Sequence, residues 1–319
     1  MNVTTVNSED QIESEKRPAM PKRQDLLTAV EGLKGAVVFD APLRELTSLR
    51  IGGPADVLVV PEDVADLTQL VRQAHAVQIP VFVLGGTNVL IRDRGIRGVV
   101  VSLGKLVAVE SCAQDVLYAE AGIRMPRLLQ EAISQSLSGL EWAAGIPGTL
   151  GGAVAMNAGT RLGEMKDCLQ AVQLLRPDGM LSRVEAVSIE FSYRRAGLPE
   201  AIVVGAWLQL TRGVTAKIEA DMKSYLQYRK NTQPLTQPNA GSVFKNPPNM
   251  SAGKLIEEAG LKGFRVGDVK VSPKHANFIV NMGQARATDA ILLIKKIQQE
   301  VYHRTNIMLE PEWKIVGEP

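Results

Sequence analysis

The chain has 319 residues, enough for about two or three domains, and its 45% hydrophobic and 22% charged content is that of an ordinary globular protein. A formal net charge of +2 and only 4% aromatic residues, with no basic stripe interleaved with aromatics, argue against a nucleic-acid partner. Two cysteines, Cys112 and Cys168, and three scattered histidines, His75, His275 and His303, lack metal-ligand spacing, so no metal site is expected and a reduced, cytoplasmic protein is the simplest reading.

Residues 1–24 mix Glu9, Asp10, Glu13 and Glu15 with basic residues and hold no apolar run, which reads as a disordered tail and not a signal peptide. A first domain, 25–104, opens with a short helix over Leu26–Leu33. Gly52-Gly53-Pro54 is a turn and Ala55–Val60 a strand. Val64, Leu67, Leu70, Val71, Ala74 and Val77 recur at helical spacing over Val64–Gln78, and Pro80 ends that helix. Val81–Leu84 is a buried strand that runs straight into Gly85-Gly86-Thr87-Asn88, and Val99–Leu103 is the next strand. A glycine turn at the carboxyl end of a strand is where open α/β sheets bind ligands, although an ordinary turn looks the same in sequence.

A second domain, 105–213, carries strand-like pieces at Val107–Glu110, Val116–Ala119, Ala171–Leu175 and Ile202–Leu210, and a helix over Pro126–Leu137 that stops before Gly139. Between them lies Gly139–Gly159, with six glycines and no charge from Trp142 to Thr160. A membrane helix needs about 20 apolar residues, and here the glycines, Pro147, Thr149 and Asn157 break the run. The dinucleotide fingerprint G-x-G-x-x-G is absent, the glycines standing at 145, 148, 151 and 152. What remains is a structural glycine loop or a cradle whose backbone N–H groups face an anion such as phosphate.

The third domain, 214–319, begins with an amphipathic helix over Thr215–Lys230, with Ile218, Met222, Tyr225 and Leu226 on one side. Residues 233–248 hold four prolines and cannot be helical. Gly253–Ala259 is a short helix, Ala276–Asn281 a strand, and Thr288 caps a helix reaching about His303. Ile307–Gly317 reads as a terminal strand.

Five segments now stand in order: Gly85-Gly-Thr-Asn-Val-Leu90, the loop Gly145–Gly152 with Asn157-Ala-Gly159, Phe191-Ser-Tyr-Arg194, Gly241-Ser-Val-Phe-Lys-Asn-Pro247 and Glu310–Gly317. With them the chain resembles the UDP-N-acetylenolpyruvoylglucosamine reductases over roughly 46–317, nearly everything but the tail. The resemblance implies an α+β fold: two subdomains that clasp FAD, as in flavoproteins of the vanillyl-alcohol-oxidase type, and a C-terminal α+β substrate domain. It implies a reductase of peptidoglycan precursor synthesis in which NADPH reduces the flavin and leaves. The enolpyruvyl sugar nucleotide then takes a hydride at its β-carbon and a proton at its α-carbon.

By the same resemblance, Arg194 steadies the enolate charge that hydride addition creates, Ser242 is the general acid and Glu312 helps to stabilise the enol form. Arg195 and Glu310 stand beside the first and last of these as alternatives, and Trp313 replaces the aliphatic residue usual in the family. The cofactor set is Arg50, then Gly85, Gly86, Thr87, Asn88, Val89 and Leu90, then Gly145, Ile146, Pro147, Gly148, Thr149, Gly151 and Gly152, with Asn157 and Gly159. Tyr193, Arg229, Lys245 and Asn246 would contact the substrate. Neither His nor Cys occurs in Gly85–Asn88, so FAD should be held non-covalently, and the short interval from Arg194 to Ser242 is similar to the subtype that lacks a tyrosine-bearing lid. The expected partner is a small-molecule UDP-sugar enolpyruvyl ether; no nucleic acid and no membrane are expected, and the protein should be a monomer or weak oligomer. The alternatives are an FAD-linked oxidase of the same fold acting on another hydroxy acid or sugar, and a non-catalytic nucleotide-sugar binding protein.

Overall fold

The computed structural model describes residues 21–319, so positions 1–20 of the expected tail lie outside the described residues. The first helix, Arg23–Ala29, starts ahead of Leu26 and ends early, because Gly32 turns the chain at φ +69°.

The first sheet has the strand order Ala36–Pro42, Pro54–Val60, Ile96–Val101, Val81–Val83. Its last two pairings are parallel, which requires a crossover, and the helix Val64–Ala76 supplies it. Asp63 caps that helix by accepting the Asp66 N–H at 2.7 Å. Leu67, Leu70, Val71 and Ala74 are buried on the sheet side, and each buried Leu contributes roughly 1.5–3 kcal/mol.

The second sheet is antiparallel throughout, in the order Leu181–Glu185, Leu169–Leu175, Ile202–Gln209, Val116–Glu120, Val109–Ala113. The edge strand Leu181–Glu185 has no counterpart in the sequence expectations. Its residues alternate between exposed and half-buried, so no apolar run marks it. Beside this sheet a small hairpin pairs Glu190–Ser192 with Arg195–Gly197.

The third sheet runs Asn239–Ser242, Phe278–Asn281, Val269–Val271, Arg265–Val266. Asn239–Ser242 falls inside the proline-rich stretch expected to be loop. The prolines exclude helix, but this piece carries none and pairs with Phe278–Asn281. The helix over Ala287–Thr305 is not capped by Thr288. Thr288 is its second residue, and the cap comes from the first domain: Asp93 accepts the Ala287 and Thr288 N–H groups at 2.7 and 3.0 Å.

Of the expected terminal strand only Lys314–Val316 forms, and it pairs in parallel with Val89–Ile91. Just before it, Pro311 bridges Phe244. The C-terminal segment therefore stitches the strand after the Gly85–Asn88 turn to the segment after Ser242. Asn281 adds a second stitch, its Nδ2 donating to the carbonyls of Leu49 and Arg50 at 3.0 and 3.3 Å.

Candidate active site

The two glycine loops meet. A Cβ on Gly148 would lie 2.7 Å from Thr87 Oγ1, and one on Gly86, at φ +75°, would lie 2.5 Å from the Leu46 carbonyl oxygen. A side chain at Gly148 would push the two loops apart, and one at Gly86 would push its loop off Leu46. Part of the second loop is not loop at all: Leu150–Ala155 is a short helix capped by Thr149, which accepts the Gly152 N–H at 3.4 Å. Gly85, Gly86, Thr149, Gly151 and Gly152 line a cleft of about 610 Å³. Among the described residues, the N–H groups of Gly85, Gly86, Thr87 and Asn88 have no protein acceptor. Four successive free donors, with Gly86 and Asn88 at positive φ, make a concave anion-binding nest. Such a nest, with Gly85 and Gly86 on the cleft and Thr87 and Asn88 on the neighbouring cavity, fits the pyrophosphate of FAD.

The same loop continues into a second cavity of about 530 Å³, lined by Thr87 and Asn88, Ile146 and Pro147, and also by Arg194, Ser242 and Glu312. These last three come from three different places in the fold. Arg194 sits at the two-residue tip between Ser192 and Arg195, at φ +59°. That conformation costs a non-glycine residue on the order of 1–3 kcal/mol and is a common mark of functional positions. Its guanidinium lies 5.0 Å from the Tyr193 ring centroid.

Glu312 sits where the C-terminal segment passes between domains. Its N–H donates to the Val243 carbonyl at 2.7 Å, and its own carbonyl accepts from Asn88 Nδ2 at 3.2 Å. Its carboxylate is 3.2 Å from Arg194 Nε, with only 9% of the side chain exposed. Burial raises its pKa above the usual carboxylate range, and the neighbouring Arg194 pulls the other way without cancelling the effect. Ser242 follows Gly241, which at φ +77° forms a bulge in the pairing with Phe278–Asn281 and re-aims the next side chain. Among the described residues, the Ser242 hydroxyl makes no hydrogen bond to the protein.

Arg229 reaches the same cavity from the helix Thr215–Thr232. It is largely buried, its Nε is buried without a hydrogen-bond partner, and burial lowers its pKa. A desolvated cation facing a cavity is a site for an anionic group such as a phosphate.

The family model for the UDP-N-acetylenolpyruvoylglucosamine reductase C-terminal domain matches residues 233–316, and that for an FAD binding domain matches residues 55–185. A UDP-N-acetylenolpyruvoylglucosamine reductase of Syntrophus aciditrophicus is 47% identical over 293 residues, covering 90% of this chain and 94% of that one. One from Syntrophomonas wolfei is 43% identical over 285 residues, covering 88% and 95%. The chain belongs to the UDP-N-acetylenolpyruvoylglucosamine reductase family. The crystal structure of a family member from Thermus caldophilus superposes with a TM-score of 0.78 at 39% identity, covering 89% of this chain and all of that one.

Several residues that the reductase resemblance singled out sit away from the cavities. Arg50 is exposed and lines neither, while Val89 and Leu90 are buried in the core. Gly145 abuts Arg229, so a side chain there would press on the buried guanidinium. Lys245 pairs with Glu310 outside the cavity, which leaves Glu312 as the glutamate inside it. Arg195 is likewise exposed and only Arg194 faces the cavity. Asn246 lines the cavity edge but uses its Oδ1 to accept the Ala252 N–H at 3.0 Å, and Gly159 lines the wall. Trp313 is buried in the third-domain core behind Glu312. Asn157 departs furthest from expectation: its side chain is fully buried and bonded only to protein.

Sequence reasoning missed Arg161, Tyr225, Tyr228 and Gln233, all of which line the cavity. Arg161 stacks over the Tyr228 ring at 4.5 Å within that lining. Tyr225 was placed on the apolar side of its helix, and the helical period alone does not distinguish a core face from a cavity wall.

Proposed function

We propose that the protein reduces UDP-N-acetylenolpyruvoylglucosamine to UDP-N-acetylmuramate, with FAD held non-covalently and NADPH as co-substrate. The observation that carries this reading is the convergence of Arg194, Ser242 and Glu312 in one cavity continuous with the Gly85–Asn88 nest. The parts 25–104 and 105–213 form the FAD cleft, and 214–319 closes the substrate site over it. FAD, held by the Gly85–Asn88 turn, would supply hydride transfer between NADPH and the enolpyruvyl β-carbon.

The residues of the chain do the rest. Arg194 pairs with the substrate carboxylate and lowers the energy of the enolate that forms there. A carboxylate arriving beside Glu312 raises that residue's pKa further, as like charges do. In its protonated form Glu312 can donate a hydrogen bond to the forming enol. Ser242, with its hydroxyl free, gives its proton to the α-carbon. An enolate carbon is a strong base, so a weak acid in the right place suffices. Arg229 holds the diphosphate, with Asn246 at the edge of the same subsite, while Tyr193 lies outside it against the Arg194 guanidinium. The reaction belongs to peptidoglycan precursor synthesis. We assign it to the cytoplasm and to a monomer or weak oligomer; no described helix is long and apolar enough to cross a membrane.

An anaerobic absorbance titration tests this. The purified protein should be yellow, bleach with NADPH and recolour with the enolpyruvyl sugar nucleotide. Bleaching without recolouring would remove the substrate assignment and leave the flavin fold.

A further inference from the structure

We infer that Asn157 is a positioning residue for Arg194 and not a cofactor contact. The inference rests on the role proposed for Arg194. Asn157 has no exposed surface, and both Nδ2 hydrogens of its amide are taken up by protein acceptors. Its Nδ2 donates to the Ser192 carbonyl at 3.3 Å and to Glu164 Oε2 at 3.0 Å, and its Oδ1 accepts the Lys166 N–H at 3.0 Å. Glu164 is itself fixed by an ion pair to Lys166 at 2.5 Å. Ser192 is the last residue before the tip that carries Tyr193 and Arg194.

This placement has a physical purpose. A two-residue tip with a non-glycine residue at φ +59° is strained and relaxes if its base is free. The hairpin is short, with three paired positions. Asn157 ties its last carbonyl to the exit of the glycine loop. The loop that walls the cavity thus also sets how far Arg194 reaches towards Glu312 and the substrate.

The test is a pair of half-reactions on single variants and on a double variant. Asn157→Ala should leave flavin reduction by NADPH near the wild-type rate and slow reoxidation by the enolpyruvyl substrate. A displacement of about 1 Å at a reacting group costs up to roughly a hundredfold. In an Arg194→Ala background the same substitution should add almost nothing, because residues acting as one unit are non-additive. Equal losses in both half-reactions, or a full further loss in the Arg194→Ala background, would overturn the inference. If Arg194→Ala itself spares reoxidation, the role proposed for Arg194 falls and the positioning role with it. If Arg194→Ala slows reoxidation and Asn157→Ala does not, only the positioning role falls.

Should Asn157→Ala fail to fold, the swapped pair Asn157→Asp with Glu164→Gln gives the same answer. It keeps a hydrogen bond between the two side chains and the acceptor for Lys166, but offers no donor to Ser192. It should be yellow and reducible yet slow to reoxidise, and wild-type reoxidation by this variant would overturn the inference.

Discussion

Six glycines stand in the lining of the cleft beside Gly85 and Gly86, whereas the cavity beyond Thr87 gathers charged and hydroxyl side chains. The Gly85–Asn88 turn between the two offers four consecutive N–H donors, and what its close approaches need from the sequence is the absence of Cβ atoms. The cavity needs Arg194, Ser242, Glu312 and Arg229, which come from a hairpin tip, a strand bulge, an interdomain crossing and a helix. Binding a cofactor tightly is a matter of local chain shape. Aligning a proton donor with a charge stabiliser takes the whole tertiary structure.

If that contrast is right, substitutions in the two regions should separate loading from turnover. The largest effect is expected for Ser242→Ala. Removing a general acid costs about 10²–10⁴-fold. The loss should fall on reoxidation by substrate, with flavin content and NADPH reduction intact, as read by stopped-flow absorbance. Full retained turnover would take the acid role from Ser242.

Gly86→Ala should do the reverse. Its Cβ would meet the Leu46 carbonyl, and φ +75° suits glycine. A residue forced into that region costs about 1–3 kcal/mol, roughly ten- to hundredfold in FAD affinity. Equilibrium dialysis of FAD should show the weakening, while saturating FAD restores most of the rate. A rate that stays low at saturating FAD would mean that the loop also shapes the catalytic cavity, blurring the contrast.

Arg229→Met should sharpen it further. A charge-assisted hydrogen bond is worth about 1.5–3 kcal/mol, so KM for the sugar nucleotide should rise by roughly ten- to hundredfold with kcat little changed. The same variant should melt slightly higher, because a largely buried guanidinium with an unpartnered Nε costs desolvation energy that Met does not. A lower melting temperature would mean that Arg229 has a structural partner.

How much of this could be read from the sequence follows the same division. The cleft was legible because Gly85–Asn88 is one short run directly after a strand. The helix Val64–Ala76 was legible from its periodicity. Arg194, Ser242 and Glu312 carried no local signal of their own and were reachable only through the family resemblance. Arg161 and Tyr228, which stack in the cavity lining, lie in unrelated segments, and only the fold brings them together. Asn157 was grouped with the glycines around it, since nothing local reveals that its amide turns inward to Ser192. The strand Asn239–Ser242 was hidden by its prolines, although they only flank it.

The smallest expected effect concerns the pH dependence of stability. Burial holds the Glu312 carboxyl above its ordinary value in the folded state, and that ordinary value is about 4.3 in an unfolded chain. Between the two values the native state binds more protons than the unfolded one, so this group's contribution to stability falls as pH rises through the window and is constant above it. Glu312→Gln carries no titrating proton. The variant therefore lacks that decline, and its stability relative to the wild type should climb from about pH 4 upward and then level off. Urea melts across the range would show it, as a difference small beside the roughly 5–15 kcal/mol of a typical folded domain. Losing the Arg194 partner shifts the level of the curve but not its slope, because Arg194 stays charged throughout. A slope of opposite sign would mean that Arg194 outweighs burial and holds the Glu312 carboxyl below its ordinary value.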